Sequence, residues 1–161
     1  MKQIVLILLL HVSSTFATSY NFTETRYSDA LERSMKLDGI IEFTEGLAIE
    51  YNNSGKSLLY EDGEVQLLED GESIELDEGE ALKIAQYFET VLMLYRGDKK
   101  RIEEEFVITP LEDKTLLAPK GELSSYMFKI ELQRENKKLK EIVMYLSNYD
   151  KITISIHDEI R

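Results

Sequence analysis

The sequence predicts a mainly β (α+β) domain: an incomplete antiparallel β-barrel, or strongly curved sheet, capped by one long helix and a short N-terminal helix. Three observations predict it. Gly39, Gly46, Gly55, Gly63, Gly71 and Gly79 recur every seven to nine residues. Between them run short segments in which apolar residues alternate with acids, the pattern of an up-and-down sheet with one buried face. A single later stretch changes period from two to three or four, which marks one amphipathic helix.

The elements follow in order. Tyr27 to Met35 carries apolar residues at helical spacing and is expected to form the short first helix. Ile41 and Phe43 share one face of a strand that ends at Thr44-Glu45-Gly46. Leu47, Ile49 and Tyr51 share a face of the next, and Asn52-Asn53-Ser54-Gly55 turns the chain. Leu58 and Tyr60, Val65 and Leu67, and Ile74 and Leu76 continue the alternation. Between them, Glu61-Asp62-Gly63 and Glu69-Asp70-Gly71 are strong hairpin signals. Acids at the turns and outward positions oppose edge-to-edge pairing.

Ala81, Ile84, Ala85, Phe88, Val91, Leu92 and Tyr95 then trace the stripe of the long helix. Asp77, Glu78 and Glu80 suit its positive start and Arg96 its negative end, and Gly97 is a natural cap. Alternation returns with Phe106 and Ile108, and again with Tyr126, Phe128, Ile130 and Leu132 on one expected face. Leu139 to Leu146 and Ile152 to Ile156 follow, separated by the polar turns Asn136-Lys137-Lys138 and Asn148-Tyr149-Asp150. Nine or ten strands around one helix must curl.

The first residues point to secretion. Met1-Lys2-Gln3 is a short basic start, Ile4 to Leu10 is an apolar run, and Ser13 to Ala17 supplies small residues before a cut after Ala17. The run is far shorter than the roughly 20 residues a spanning helix needs. Residues 1–17 are therefore expected to be a cleavable signal peptide, and 18–161 a single domain in the periplasm of a Gram-negative bacterium. With no cysteine, the chain has neither disulfides, thiolate metal ligands nor a lipidation site. The formal charge of −12 argues against nucleic acid, whose binding needs Lys and Arg on phosphate. It favours a solvated surface, or steering toward a basic partner.

Chemistry is sparsely provided for. Of the two histidines, His11 leaves with the signal peptide, and His157 beside Asp158 lacks a placed nucleophile. Glu103-Glu104-Glu105 and Glu61-Asp62 read as solvated turns, and Glu69-Asp70-Gly71-Glu72 lacks the alternating acids of a calcium loop. Asn21-Phe22-Thr23 and Asn52-Asn53-Ser54 match the glycosylation tripeptide, a weak and common pattern. Neither catalytic residues nor a metal or cofactor is expected. What remains is a curved sheet with an apolar inner face and a helix across it. That pair either closes into a dry core or leaves a hydrophobic cavity.

Several segments carry a resemblance. Phe22-Thr23-Glu24-Thr25-Arg26, Leu31-Glu32-Arg33, Gly39 to Phe43 and Gly46 to Tyr51 resemble the opening of LolA-like periplasmic lipoprotein carriers. There an F-x-Q-x pattern precedes a glycine-led strand and then a strand ending in an aromatic. Leu92 to Asp98 followed by Phe106 is similar to the family's helix, its Gly-Asp exit and the next strand. Leu117-Ala118-Pro119-Lys120, Ile130-Glu131-Leu132, Leu139-Lys140-Glu141-Ile142 and Asp150 to Ile154 follow the order L-x-P-K, I-x-L, L-x-x-I, D-x-T-x-I.

The resemblance implies a non-enzymatic monomeric chaperone whose cavity shields acyl chains of lipoproteins in transit. Such a carrier takes its cargo from an inner-membrane ABC-type transporter and gives it to an outer-membrane acceptor. By position it implies cavity residues Phe43, Leu47, Ile49, Tyr51, Leu58 and Tyr60 on the sheet and Ile84, Phe88, Val91 and Leu92 on the lid helix. The chain departs from the pattern at Thr44-Glu45-Gly46, where the family carries an Arg-Pro whose arginine locks the lid. The usual tryptophan is absent, with Tyr51 or Ile49 in its place, and Asn53-Ser54-Gly55 replaces a proline. A binder of another lipid working with an exporter, and a secreted interaction domain with a filled core, are the alternatives.

Overall fold

A computed structural model describes residues 17–160; the expected signal peptide lies, apart from Ala17, outside them. Eleven strands form one antiparallel sheet in the order β6-β5-β4-β3-β2-β1-β11-β10-β9-β8-β7. The first half is a meander of β1 (Thr18–Ser28), β2 (Arg33–Phe43), β3 (Leu47–Tyr51), β4 (Lys56–Glu61), β5 (Glu64–Glu69) and β6 (Glu72–Ile74). Helices α1 (Glu78–Arg96) and α2 (Lys99–Glu105) follow. The second meander is β7 (Phe106–Pro110), β8 (Thr115–Pro119), β9 (Met127–Glu135), β10 (Lys138–Leu146) and β11 (Lys151–Ile160). The last strand returns to pair with β1, so first and last strands join the two halves and β6 and β7 are the free edges. The result is an incomplete barrel with α1 packed against its inner face.

Local chemistry explains many boundaries. Asp77 caps α1 by accepting from Glu80 N at 2.9 Å, and Gly97 ends it at φ 67° with its N–H on Met93 O. The hairpins at Asp62-Gly63 and Asp70-Gly71 have positive φ at both residues, as the two-residue turn that matches strand twist requires. Asn136 and Lys137 make the same turn between β9 and β10.

The expected helix over Tyr27–Met35 is instead a hairpin: β1 runs to Ser28, Glu32 turns at φ 48°, and β2 starts at Arg33. Tyr27, Leu31 and Met35 do fall at helical spacing, but Leu31 and Met35 are 63% and 51% exposed, so no apolar stripe needs burying. A nine-residue helix without such burial is marginal. β1 gains hydrogen-bonding neighbours on both sides by remaining extended, with Arg26 opposite Met35 of β2 and Ile152 of β11. A second correction concerns Glu103-Glu104-Glu105, which are exposed but belong to α2 rather than a turn. Asp98 caps that helix, and Lys99 and Lys100 lie one turn before Glu103 and Glu104.

A third correction lies in β9. A register shift against β10 between Tyr145 and Leu146 leaves Phe128 without a partner. Met127 turns inward beside Ile130 and Leu132, while Phe128 is 49% exposed and meets Tyr145 outside. One extra residue thus splits the expected Tyr126–Leu132 face.

Gly39 and Gly79 are not turns. Gly39 sits inside β2, where an added Cβ would lie 2.2 Å from Glu50 O and 2.9 Å from Phe22 Cε1. The first contact is backbone and has no rotamer by which to retreat. Gly39→Ala is expected to cost about 3 kcal/mol of stability, read as a lowered urea midpoint with an unchanged slope.

On the outer face, Glu131 accepts from Lys114 Nζ and Lys129 Nζ, both at 2.9 Å. Those two bonds hold its carboxyl down to about 2 from an ordinary 4.5. The folded state therefore favours the ionised form, and the contribution is complete above about pH 4.5 and lost as pH falls toward 2. Glu131→Gln is expected to be less stable than the parent at neutral pH. Denaturation at pH 7, 4 and 2 should show that gap closing.

Candidate functional site

α1 lies across the inner face of the sheet, and most of its stripe is closed. Phe43, Leu47, Ile49, Tyr51, Leu58 and Tyr60 from β2–β4 and Phe88, Val91 and Leu92 from α1 are all buried in one cluster. Phe88 is fully buried with its ring edge-on to Tyr60 at 6.2 Å, and Phe43 stacks on Tyr95 at 3.6 Å. Nine of the ten sequence-expected cavity residues are thus brought together, packed on one another. The tenth, Ile84, is half-buried and faces open space.

That space is a cleft of about 360 Å³ between the first half of α1 and the other half of the sheet. Ile84 and Tyr87 form its helix wall, and Met127, Leu146 and Ile152 of β9, β10 and β11 form its apolar sheet wall. Arg26 and Lys83 line it as well. The sequence left the sheet wall out, because the family resemblance carries the cavity by position to β2–β4 rather than to β9–β11.

A buried polar network borders the cleft. Glu24 is 0% exposed, on the inner face of β1. Its Oε2 accepts from Tyr87 Oη at 2.9 Å and Tyr51 Oη at 3.2 Å, and its Oε1 pairs with Arg26 Nε. Arg26 Nη2 also donates to Tyr51 Oη at 3.1 Å. Strand alternation places Phe22, Glu24 and Arg26 on one side, and Tyr87 brings α1 to the same carboxylate. Burial, then the charge on Glu24, pushes both tyrosine hydroxyls upward, so they stay protonated as donors. Burial acts to lower Arg26, but Glu24 outweighs it and the guanidinium remains charged. A signal for this network did exist in sequence: Glu24 and Arg26 share the inward register of Phe22. Reading the residues that follow as a helix hid it.

Further contacts hold α1 in place. Arg96 Nη2 donates to Glu45 O at 2.5 Å and Thr44 O at 3.3 Å, so the arginine-free turn Thr44-Glu45-Gly46 receives an arginine from the helix. Arg134 of β9 bonds Leu94 O, and Tyr20 meets Tyr95 at 3.3 Å between hydroxyls. These ties gather at the last turn of α1, and the Tyr87–Glu24 bond holds its middle.

Other chemistry is not assembled at His157. Its Nε2 lies 2.9 Å from Thr23 Oγ1 on the outer face, and that hydroxyl donates to Asp38 at 2.6 Å. The threonine proton therefore points at the carboxylate rather than the imidazole, the reverse of an activated nucleophile. Among the described residues no cluster of His, Cys, Asp or Glu could hold a metal, and no helix is long and apolar enough to cross a membrane.

No family model and no curated protein matches the chain. Solved structures do. A domain named for outer-membrane lipoprotein sorting, from Vibrio parahaemolyticus, aligns over 92% of this chain and 86% of its own at 8% identity and a TM-score of 0.48. A LolA superfamily protein from Nitrosomonas europaea aligns over 91% of this chain and 86% of its own at 10% identity and a TM-score of 0.43.

Proposed function

We propose that this protein is a non-enzymatic lipid carrier that holds an acyl chain in the cleft between α1 and strands β9–β11. The observation that carries the reading is the cleft itself. Apolar side chains from a helix and three strands line a space that the adjoining packed core leaves open. A methylene taken from water into such a space contributes roughly 0.8 kcal/mol, so placing part of an acyl chain against its apolar walls is favourable.

The finer reading follows the sequence resemblance. Residues 1–17 direct the chain to the periplasm and are removed, and the remaining single domain works as a monomer. It takes acyl chains of lipoproteins from an inner-membrane ABC-type transporter and passes them to an outer-membrane acceptor. A second reading, a carrier of a smaller lipid, is favoured by the cleft's modest volume of about 360 Å³.

Native mass spectrometry and lipid extraction of the protein purified from a Gram-negative periplasm test the proposal. Co-purifying acylated peptides support the lipoprotein cargo, and a smaller bound lipid supports the second reading. A protein that is lipid-free and stays so when offered amphiphiles would leave a filled-core interaction domain as the better description.

A further inference from the structure

The cleft differs from the rest of the chain in charge. The sequence holds 31 acids against 19 Lys and Arg, yet the cleft is lined by Arg26 and Lys83 and by no carboxylate. An adjoining trough shares Arg26, Leu146 and Ile152 with it and adds Arg33 and Lys151 against one acid, Asp150. Asp150 is already engaged, accepting from Asp29 N at 2.9 Å and from Asn148 Nδ2 at 2.8 Å.

Glu24, the carboxylate paired with Arg26, does not line the cleft and is 0% exposed beneath two tyrosine hydroxyls. Arg26 spends Nε on Glu24 and Nη2 on Tyr51, while its Nη1 has no partner among the described residues and its side chain is 42% exposed. One guanidinium edge is therefore fixed by the network, and the half-exposed side chain lines both the cleft and the trough. Holding a guanidinium this way removes its rotamer entropy before any anion arrives.

Size narrows the choice further. If each methylene-sized group takes on the order of 30 Å³, the share of a water molecule in its liquid, the cleft holds roughly a dozen groups. That is one chain rather than three.

We propose that the cleft binds a single-chain anionic amphiphile, with its chain between Ile84 and Leu146 and its carboxylate or phosphate head on Arg26. Lys83, and Arg33 and Lys151 along the trough, add long-range attraction for the same head. The proposal rests on the lipid-carrier reading and names the class of lipid.

Calorimetric titration of the protein, expressed from the full chain, with sodium laurate, dodecyl phosphate, dodecanol and dodecyltrimethylammonium tests it. Laurate or dodecyl phosphate should bind at least tenfold more tightly than dodecanol, and the tighter of the two identifies the head. The ammonium compound should be the weakest. Glu24→Gln/Arg26→Gln removes both charges of the buried pair together and should bring laurate to the level of dodecanol. Should that variant fail to fold, the exposed pair Lys83→Gln/Arg33→Gln should still weaken laurate several-fold and leave dodecanol unchanged. Equal binding of laurate and dodecanol by the parent would overturn the anion site and leave the carrier reading standing. Binding of none of the four would overturn both.

Discussion

Arg26→Ala is expected to destabilise the fold by about 3 kcal/mol, because removing this half-exposed cation leaves a fully buried carboxylate uncompensated. Glu24 is the group left behind. It is fully buried, and the substitution strips the cation from Oε1 while Tyr51 and Tyr87 still donate to Oε2. Those two hydroxyls keep the cost below the upper end for such pairs. Glu24→Gln/Arg26→Ala should recover most of the loss, since the amide carries no charge and can still accept from the tyrosines. Urea denaturation of the parent, the single and the double variant reads this directly. A single variant as stable as the parent would mean that Glu24 gains its compensation elsewhere. Tyr87 belongs to α1, so the same substitution should also raise hydrogen exchange in the first half of that helix.

The second large effect separates core from cleft. Leu92→Asp is expected to unfold the protein, because Leu92 is 6% exposed inside the cluster with Phe88 and Val91. An unpaired carboxylate there costs several kcal/mol, a large part of the stability of a domain this size. Ile84→Asp lies two turns earlier on the same helix, half-buried at the cleft wall. It should leave the thermal midpoint within a few degrees of the parent while abolishing acyl-chain uptake. Circular dichroism for the fold and a fluorescent fatty-acid analogue for binding separate the two. If Leu92→Asp folds and loses only binding, the cavity extends beneath the middle of α1. If Ile84→Asp folds and keeps full binding, the chain lies elsewhere.

These effects also show which features were legible in sequence. The ends of α1 were, because Asp77 and Gly97 act within one turn of their own backbone. So were the hairpins at Gly63, Gly71 and Asn136, whose positive φ values follow from two residues each. Antiparallel order followed from those turns, and an unclosed barrel from the number of strands around one helix. β1 was not legible: Tyr27, Leu31 and Met35 repeat at helical spacing, and only pairing with β2 and β11 on both sides decides against the helix. The bulge that turns Met127 inward and Phe128 outward is likewise a property of two strands in register.

The candidate site was legible in part. The expected apolar residues of β2–β4 and α1 do converge, but convergence and openness are different properties. Whether a helix fills the hollow beneath it depends on side chains across the gap, and here the gap opens toward Met127, Leu146 and Ile152. Those residues come from the last third of the chain, with no local pattern tying them to Ile84. Arg96 illustrates the same point. At the end of α1 it suits the helix dipole, and only the fold shows it reaching the carbonyls of Thr44 and Glu45.

The central claim is that an acyl chain lies between the first half of α1 and strands β9–β11. Photolabelling tests it most directly, using a laurate analogue with a diazirine on its terminal carbon, irradiated with the protein and mapped by peptide mass spectrometry. Label on the Lys83–Tyr87 segment and around Met127 and Leu146, suppressed by excess laurate, is the predicted result. Label confined to outward residues such as Phe128, or none that excess laurate suppresses, would contradict it.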